Sequence, residues 1–159
     1  MTEEELSQQI FELSVQAGMN QRYHQRNAGR WNRADSEVRI SVGMFAVSGL
    51  SLSIASVATS SPWFGLASLV AILFTAVAGM VMNLYPFAEW ERDHEVLFAQ
   101  WTDIRQEVDS LQFVSKLADR TTYFARLQGR MHRLCGSEPV ADEALLERCF
   151  EEEKASRDH

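Results

Sequence analysis

Charged residues are absent from the centre of this 159-residue chain: no Asp, Glu, Lys or Arg occurs from Ile40 to Ala88. All charges lie in the two ends, so the net charge of -7 and the mean hydropathy of -0.20 describe the ends and conceal the apolar centre. A helix at the surface of a soluble protein has a polar face, and no face of this stretch carries a charge. The sequence therefore favours a membrane protein over a buried hairpin of a soluble bundle.

Proline is also scarce, with three residues in the chain, and one of them interrupts the apolar stretch. A single helix over residues 40–88 would be longer than ~70 Å at ~1.5 Å per residue, whereas the hydrocarbon core of a bilayer is ~30 Å thick. Pro62 cannot continue a preceding helix but is suited to begin one. We predict two transmembrane helices, at about 39–59 and 63–85, joined by an outer turn at Ser60–Trp63.

Five arginines precede the first predicted span, and the connecting turn has no charge. By the positive-inside rule the N-terminal side is cytoplasmic, and two crossings return the C-terminal part to the same side. The first four arginines share one helical face, where each would contribute about 1 kcal/mol of attraction to anionic headgroups. The alternative is a topology signal on a solvated face. The five are Arg22, Arg26, Arg30, Arg33 and Arg39.

Residues that carry chemistry are few. The chain has two cysteines, Cys135 and Cys149, but no Cys-x-x-Cys pair, glycine-rich phosphate loop or nucleophile elbow. His132 and the two cysteines have looser spacing than known zinc sites. Both cysteines lie on the expected cytoplasmic side, where structural disulfides are rare. We predict no enzyme activity, no catalytic residue, no metal or cofactor and no nucleic-acid partner.

The segments on both sides of the predicted spans have helical spacing, and none is typical of a strand, so we predict an all-α protein. Residues 3–35 are predicted to form an amphipathic helix and residues 87–118 one long helix with an apolar seam of two heptads. So short a seam needs a neighbour, which is either the N-terminal helix or another subunit or partner protein. The seam residues are Leu97, Trp101, Ile104, Val108 and Leu111.

Farther along the chain we predict a helix break at residues 119–122, a C-cap at Gly136, a turn at 137–139 and a last helix over 141–153, followed by a frayed tail. The resulting regions are a cytoplasmic helix at 1–38, the transmembrane hairpin at 39–88 and a cytoplasmic helical region at 89–159. The apolar stripe after the break comprises Tyr123, Phe124, Leu127, Met131 and Leu134, and the inward residues of the last helix are Leu145, Leu146, Cys149 and Phe150.

Small residues recur at intervals along both predicted spans, at every fourth position in the second. A ladder of them lets two helix backbones approach closely in a membrane. A hydroxyl-rich face can instead line an uncharged path through an oligomer, and two helices alone cannot enclose such a path. The predicted packing or pore residues are Ser41, Ser48, Ser51 and Ala55 in the first span and Ala67, Ala71, Thr75, Gly79 and Asn83 in the second.

The whole pattern resembles the SLATT family of bacterial two-helix membrane proteins. The residues that carry the resemblance are Arg22-Tyr23-His24 before a basic helical stretch, the paired spans, the long helix after them, and "GSEPVADEALLERCFEEE" at 136–153. The resemblance implies an oligomeric effector of the bacterial inner membrane that acts in anti-phage defence and breaches the membrane after an upstream sensor fires. Because this chain lacks a fused sensor and a recognisable nucleotide pocket, we expect a trigger encoded by a partner protein.

Two other functions fit the sequence. A membrane-anchored helical scaffold would recruit or sense a cytoplasmic partner through the seam and the last helix. A holin-like lysis protein shares the hairpin, but its tail is usually short and disordered, whereas about 70 patterned residues follow the second span here.

Overall fold

The computed structural model describes residues 2–114, 116–138 and 141–157, which form helices and no strand. The predicted all-α fold is confirmed over these residues. Two helical segments are long and apolar enough to cross a membrane. The helices are α1 (Glu3–Thr59), α2 (Pro62–Leu84), α3 (Phe87–Ser110), α4 (Leu117–Cys135) and α5 (Glu143–Arg157), with a short 3-10 turn at Leu111–Phe113.

Helix α1 is continuous over 57 residues, so the predicted amphipathic helix at 3–35 and the first apolar span belong to one element. Nothing in the sequence interrupts the helix where the two meet, because no proline or cap separates them. The Arg39 guanidinium donates to the Asp35 carboxylate one turn earlier at 2.6 Å, which supports the helix at this point.

The break between α1 and α2 lies where the sequence predicts it. Helix α1 ends at Thr59, and Pro62 is the first residue of α2. Ser60 turns the chain with a positive φ of 53°, which an L-residue adopts at some cost in strain. The missing N–H of Pro62 costs nothing here because the first N–H groups of a helix have no partner within it.

The described residues belong to two compact units. We call Met1–Asn27 with Asp93–His159 the terminal unit, and Ala28–Arg92 the hairpin unit. The two units are defined by contacts within the chain, whereas the predicted boundaries at 38/39 and 88/89 are defined by the hydropathy of the sequence. The membrane boundaries therefore remain predictions.

The core of the terminal unit is built by α1, α3 and α4. The seam of α3 lies in it: Trp101, Ile104, Val108 and Leu111 are buried, and Leu97 packs against them. The neighbour of the α3 seam is therefore the N-terminal helix of its own chain, which is the first of the two predicted alternatives. The α1 side chains in the same core are Leu6, Ile10, Leu13 and Ala17.

Helix α3 ends earlier than predicted. It stops at Ser110 instead of 118, and residues 119–122, the predicted break, lie inside α4. The Thr121 and Thr122 hydroxyls donate to carbonyls one turn earlier and so do not disrupt the helix. The chain turns after Leu111 because that side chain is held in the core and α4 returns across it.

The apolar stripe of α4 is mostly buried, with one exception. Phe124, Leu127 and Met131 are in the core and Leu134 packs against it, but Tyr123 is exposed, so its assignment to the stripe is wrong. Tyr123 precedes Phe124 by one residue and so points about 100° away from it. Gly136 caps the helix as predicted, donating its N–H to the His132 carbonyl at 3.2 Å.

Helix α5 runs four residues farther than the predicted 153, into the segment expected to fray. Cys149 is buried and Leu145 and Leu146 are half-buried, but Phe150 is exposed, which corrects its inward assignment. Residues 158–159 of the predicted tail, like Pro139 of the predicted turn, lie outside the described residues.

The extension of α5 is explained by Glu153, whose side chain is completely buried. Three guanidinium groups surround its carboxylate: Arg22 at 2.7 Å, Arg157 at 2.9 Å and Arg105 at 3.0 Å. Burial alone would raise the pKa of Glu153, but the hydrogen bonds from Arg22 and Arg157 and the charge of Arg105 lower it below its usual value. The carboxylate thus joins α5 to α1 and α3 as a compensated buried charge.

Gly18 of α1 makes room for this carboxylate. A Cβ atom at position 18 would overlap the Cδ and Oε1 atoms of Glu153, which the three arginines hold in place. Gly29, eleven residues later in the same helix, has no atom within 4 Å of the equivalent position.

We expect Gly18→Ala to lower the free energy of unfolding of the terminal unit by about 1–3 kcal/mol, the usual cost of overpacking. The matched variant Gly29→Ala should leave stability unchanged or raise it by up to about 1 kcal/mol through helix propensity. Thermal unfolding of the detergent-solubilised variants measures both. Equal effects of the two substitutions would contradict the close approach of Glu153 to α1.

Candidate functional site

The two apolar helices of the hairpin unit meet along a narrow line of small and hydroxyl residues. Ser68 of α2 is buried, and its hydroxyl donates to the Gly49 carbonyl of α1 at 3.0 Å. It also lies 2.5 Å from the Ser53 hydroxyl. We call this line the hairpin seam; its residues are Gly49, Ser53, Ser56, Gly65, Ser68 and Ala71.

The absence of side chains at two positions lets the helices approach closely. A Cβ atom on Gly49 would lie 3.4 Å from the Ala71 Cβ atom, and one on Gly65 would lie 3.1 Å from the Ser56 hydroxyl. Phe45 of α1 and Phe74 of α2 also meet, with ring centroids 4.0 Å apart, although both side chains are exposed. Small residues and interhelical hydroxyl bonds are the usual means of packing helices in lipid.

The predicted small-residue ladder of α2 does not form one packing face within the chain. Ala71 is buried and Thr75 is half-buried, but Ala67 and Asn83 are exposed and nothing lies within 4 Å of a Cβ at Gly79. The physical reason is that each step of four residues advances 40° beyond a full turn, so five residues at this spacing wind around the helix.

The residues of the hairpin seam are spaced by four and three residues in α1 and by three and three residues in α2, not by the strict four residues on which the predicted ladder rests. Ser53, Ser56, Gly65 and Ser68 were missed for that reason, although their spacing was visible in the sequence. In α1, Ser41 and Ala55 are half-buried, while Ser48 and Ser51 are exposed on a side that the hairpin leaves uncovered.

The hairpin unit also contains a cluster of aromatic rings. Trp31 of α1 lies 4.7 Å from Trp90 and 6.0 Å from Phe87, and Tyr85 stacks on Phe87 at 5.9 Å between centroids. The Arg30 guanidinium lies 5.7 Å from the Trp31 ring centroid, within cation–π distance. Trp63, the second residue of α2, is exposed.

The predicted arginine stripe is divided between partners. Arg22 pairs with Glu153, and Arg26 donates to Glu152 of α5 at 2.6 Å, so these two hold protein carboxylates. Arg39 pairs with Asp35 in its own helix. Arg30 lies over Trp31 as described, and Arg33 is exposed.

A buried polar cluster in the terminal unit joins three segments of the chain. His24 of α1 and His94 of α3 approach each other through their Nδ1 atoms at 2.8 Å, and both side chains are buried. His24 Nε2 lies 3.0 Å from Glu138 Oε1, and Trp101 Nε1–H donates to the same oxygen at 2.5 Å. We call His24, His94, Glu138 and Trp101 the histidine cluster.

The hydrogen positions in this cluster follow from what each group can donate. An ionised Glu138 only accepts, so His24 Nε2 carries a hydrogen and donates it. A neutral His24 then has a bare Nδ1 atom, which accepts from His94 Nδ1–H. Burial of the ring, followed by the nearby His24, lowers the pKa of His94 below its usual value of about 6.5, although Asp93 and Glu138 oppose this.

Tyr23 completes the surroundings of the cluster. Its ring lies edge-on to His24 at 5.1 Å and to His94 at 6.3 Å between centroids. Its hydroxyl accepts the backbone N–H of Asp142 at 2.9 Å, immediately before α5 begins. The Tyr23-His24 pair was singled out in the sequence, but nothing in the sequence indicated His94 as its neighbour, 70 residues away.

No protein-family profile, curated protein or solved structure that was compared with the chain matches it. Within residues 2–114, 116–138 and 141–157, no group of three or more His, Cys, Asp or Glu side chains is arranged to hold a metal ion. Cys149 is buried and Cys135 is exposed, and both are free thiols.

We expect Glu138→Ala to destabilise the terminal unit by about 2–4 kcal/mol, because it leaves the His24 and Trp101 N–H groups buried without an acceptor. Glu143→Ala, at an exposed position near the start of α5, should change stability by less than about 0.5 kcal/mol. Chemical unfolding in detergent measures the difference, and equal stability of the two variants would contradict the assigned hydrogen bonds.

A second pair of substitutions tests the hairpin seam. Gly49→Leu forces a large side chain against α2, whereas Gly43→Leu, in the same helix, has nothing within 4 Å of its Cβ position. We expect a lower unfolding temperature in detergent for Gly49→Leu and an unchanged one for Gly43→Leu. An unfolding temperature that falls equally in both would show that α1 and α2 do not meet at Gly49.

Proposed function

We propose that the chain is an integral membrane protein that crosses the bilayer twice through α1 and α2, with both termini in the cytoplasm. The observation that carries this proposal is the exposure of the apolar helices. Only 6% of the apolar window in α1 and 11% of the second window are buried within the chain. A core helix of a soluble protein would have most of this surface covered.

Aromatic residues near both ends of the proposed spans, and arginines before the first span, fit a location in a bilayer. Aromatic rings are enriched at membrane interfaces because they combine an apolar body with a polar edge. Trp31, Tyr85, Phe87 and Trp90 form one cluster, and Trp63 lies in the first turn of α2, next to the connection between the helices. The arginines before the first span support a cytoplasmic location of the N-terminal side.

We further propose that the protein acts as an oligomeric effector of the bacterial inner membrane that breaches the bilayer, as its resemblance to SLATT proteins implies. Ser48 and Ser51 support this proposal because the hairpin seam does not use them. The Ser51 hydroxyl donates to the Val47 carbonyl at 2.9 Å, so it is satisfied within its helix. In an oligomer this face is available for contact with another copy or with a water path.

The scaffold alternative has weaker support. It would use the α3 seam to bind a cytoplasmic partner, but Trp101, Ile104 and Val108 of that seam are buried in the core of the terminal unit. A partner would have to displace α1 or α4 to reach them, at the expense of most of the apolar burial that holds the unit together.

The effector proposal predicts that Ser48→Leu with Ser51→Leu abolishes growth arrest on expression in bacteria without preventing assembly. Val47→Leu with Ile54→Leu, on an exposed apolar side of the same helix, is the matched control and should keep both properties. Growth, membrane potential and the mass of nanodisc-purified protein are the measurements.

The outcomes of this experiment separate the alternatives. An assembly of four or more subunits whose toxicity requires the two serines supports a membrane-breaching path lined by α1. Toxicity that survives the double serine substitution contradicts that lining. A protein that remains a monomer or dimer at every concentration contradicts a resting pore.

A further inference from the structure

The contact between His24 and His94 has room for a single hydrogen. Their Nδ1 atoms are 2.8 Å apart, so one carries a hydrogen and the other accepts it. If both atoms carried hydrogens, the two N–H bonds would point at each other and the contact would break. Both side chains are buried, so water does not replace the lost hydrogen bond without an opening of the structure.

Counting protons shows what the cluster tolerates. With both rings neutral and Glu138 ionised, every hydrogen bond is made and the net charge is -1. One added proton on His94 Nε2 keeps the Nδ1–H donor in place and compensates the Glu138 charge. A second added proton places hydrogens on both Nδ1 atoms and two like charges in adjacent rings, 5.1 Å apart between centroids. The cluster therefore accepts one proton and excludes a second.

The groups that face the two rings do not remove this limit. From α1, the Tyr23 hydroxyl is engaged with a backbone N–H group. From α3, Asp93 favours a protonated His94, as does Glu138 from the connection between α4 and α5, but burial and His24 outweigh both. Although Cys135 is exposed to solvent overall, partial desolvation of its sulfur, followed by the charge of Glu138, raises the pKa of the thiol, so it carries no charge near neutral pH.

The cluster holds the connection between α4 and α5 at two points. Glu138 is bound by His24 and Trp101, and the Asp142 N–H is bound by Tyr23, one residue before α5 begins at Glu143. We propose that the histidine cluster is a proton-sensitive latch that keeps this connection and α5 on α1 and α3 at neutral pH and releases them in acid. The link to activation of the effector rests on the proposed function; the latch itself does not.

The size of the effect follows from the excluded proton. In an opened state each histidine takes up a proton with a pKa near 6.5. A ring that stays unprotonated in the closed state at pH 5.5 shifts the opening equilibrium about tenfold toward the open state, and the shift is negligible at pH 7.5. Since the folded pKa of His94 is lowered, closed-state stability is present above about pH 6.5 and is lost as the pH falls below it.

Cys149 reports release of α5, because its side chain has no exposed surface in the closed state. The experiment measures maleimide labelling of Cys149 in the detergent-solubilised full chain carrying Cys135→Ser, at pH 7.5 and pH 5.5. Each rate is divided by that of the urea-unfolded protein at the same pH, which cancels the intrinsic reactivity of the thiol. We expect the protection of Cys149 to fall about tenfold between the two pH values.

His94→Gln should remove most of this fall, because its side-chain amide can donate its N–H to a neutral His24 Nδ1 or, turned over, accept through its oxygen from a protonated one, so the closed state no longer excludes a proton. His132→Gln, at an exposed position in α4, is the matched control and should keep the full fall. If His94→Gln leaves Cys149 unprotected at pH 7.5, His24→Gln replaces it, since that amide retains a donor toward Glu138.

If Cys149 is equally protected at both pH values in the protein that keeps both histidines, the latch is overturned. A fall of the same size in His94→Gln or its replacement also overturns it. The test is independent of membrane activity. A tenfold fall in the protection of Cys149 in a protein that never arrests growth supports the latch and contradicts only the effector proposal. Growth arrest by a protein whose Cys149 protection does not fall contradicts only the latch.

Discussion

The structure depends first on the need to remove an uncharged apolar surface from water. Between Ile40 and Ala88 the chain offers no charge to keep this surface hydrated, and the rest of the chain leaves nearly all of it uncovered. Helices are the form in which such a segment satisfies its own backbone hydrogen bonds in hydrocarbon. In the bilayer that we propose for these helices, burial alone gives them little reason to associate, because lipid chains are as apolar as leucine. The hairpin is held instead by close backbone approach at Gly49 and by the hydroxyls of Ser53 and Ser68.

The terminal unit is stabilised by different physics. Its core is the usual cluster of large apolar side chains around Trp101, and its polar groups lie where helices meet beside that core. Glu153 is acceptable in a dry site only because three guanidinium groups neutralise it. The histidine cluster is similar in design: each buried donor has one acceptor, and the arrangement has no spare position for a second added proton. Such sites hold helices in a defined register and are sensitive to the loss of any member.

The sequence was most informative where a local rule decides the structure. Pro62 fixed the start of α2, and the spacing of Trp101, Ile104 and Val108 identified a buried face because apolar periodicity directly reflects burial. It failed where distant residues decide. Glu153 has the appearance of a solvated tail residue, and only the arrival of Arg22 from 131 positions away makes it a core group. The spacing of Ala67 to Asn83 seemed regular along the sequence, but a helix of 3.6 residues per turn carries it around the surface. The His24–Glu138 contact, across 114 positions, has no local signature at all.

The most direct test of the account is the location of the turn between α1 and α2 in living cells. A variant with Cys135→Ser, Cys149→Ser and Ser60→Cys presents a single thiol at the turn, and one with Ser156→Cys in the same background presents it near the end of α5. A membrane-impermeant maleimide should label the Ser60→Cys protein in intact bacteria and the Ser156→Cys protein only after lysis. Two crossings with cytoplasmic termini require that result. A turn that stays unlabelled until lysis, or an α5 thiol labelled in intact cells, would contradict it.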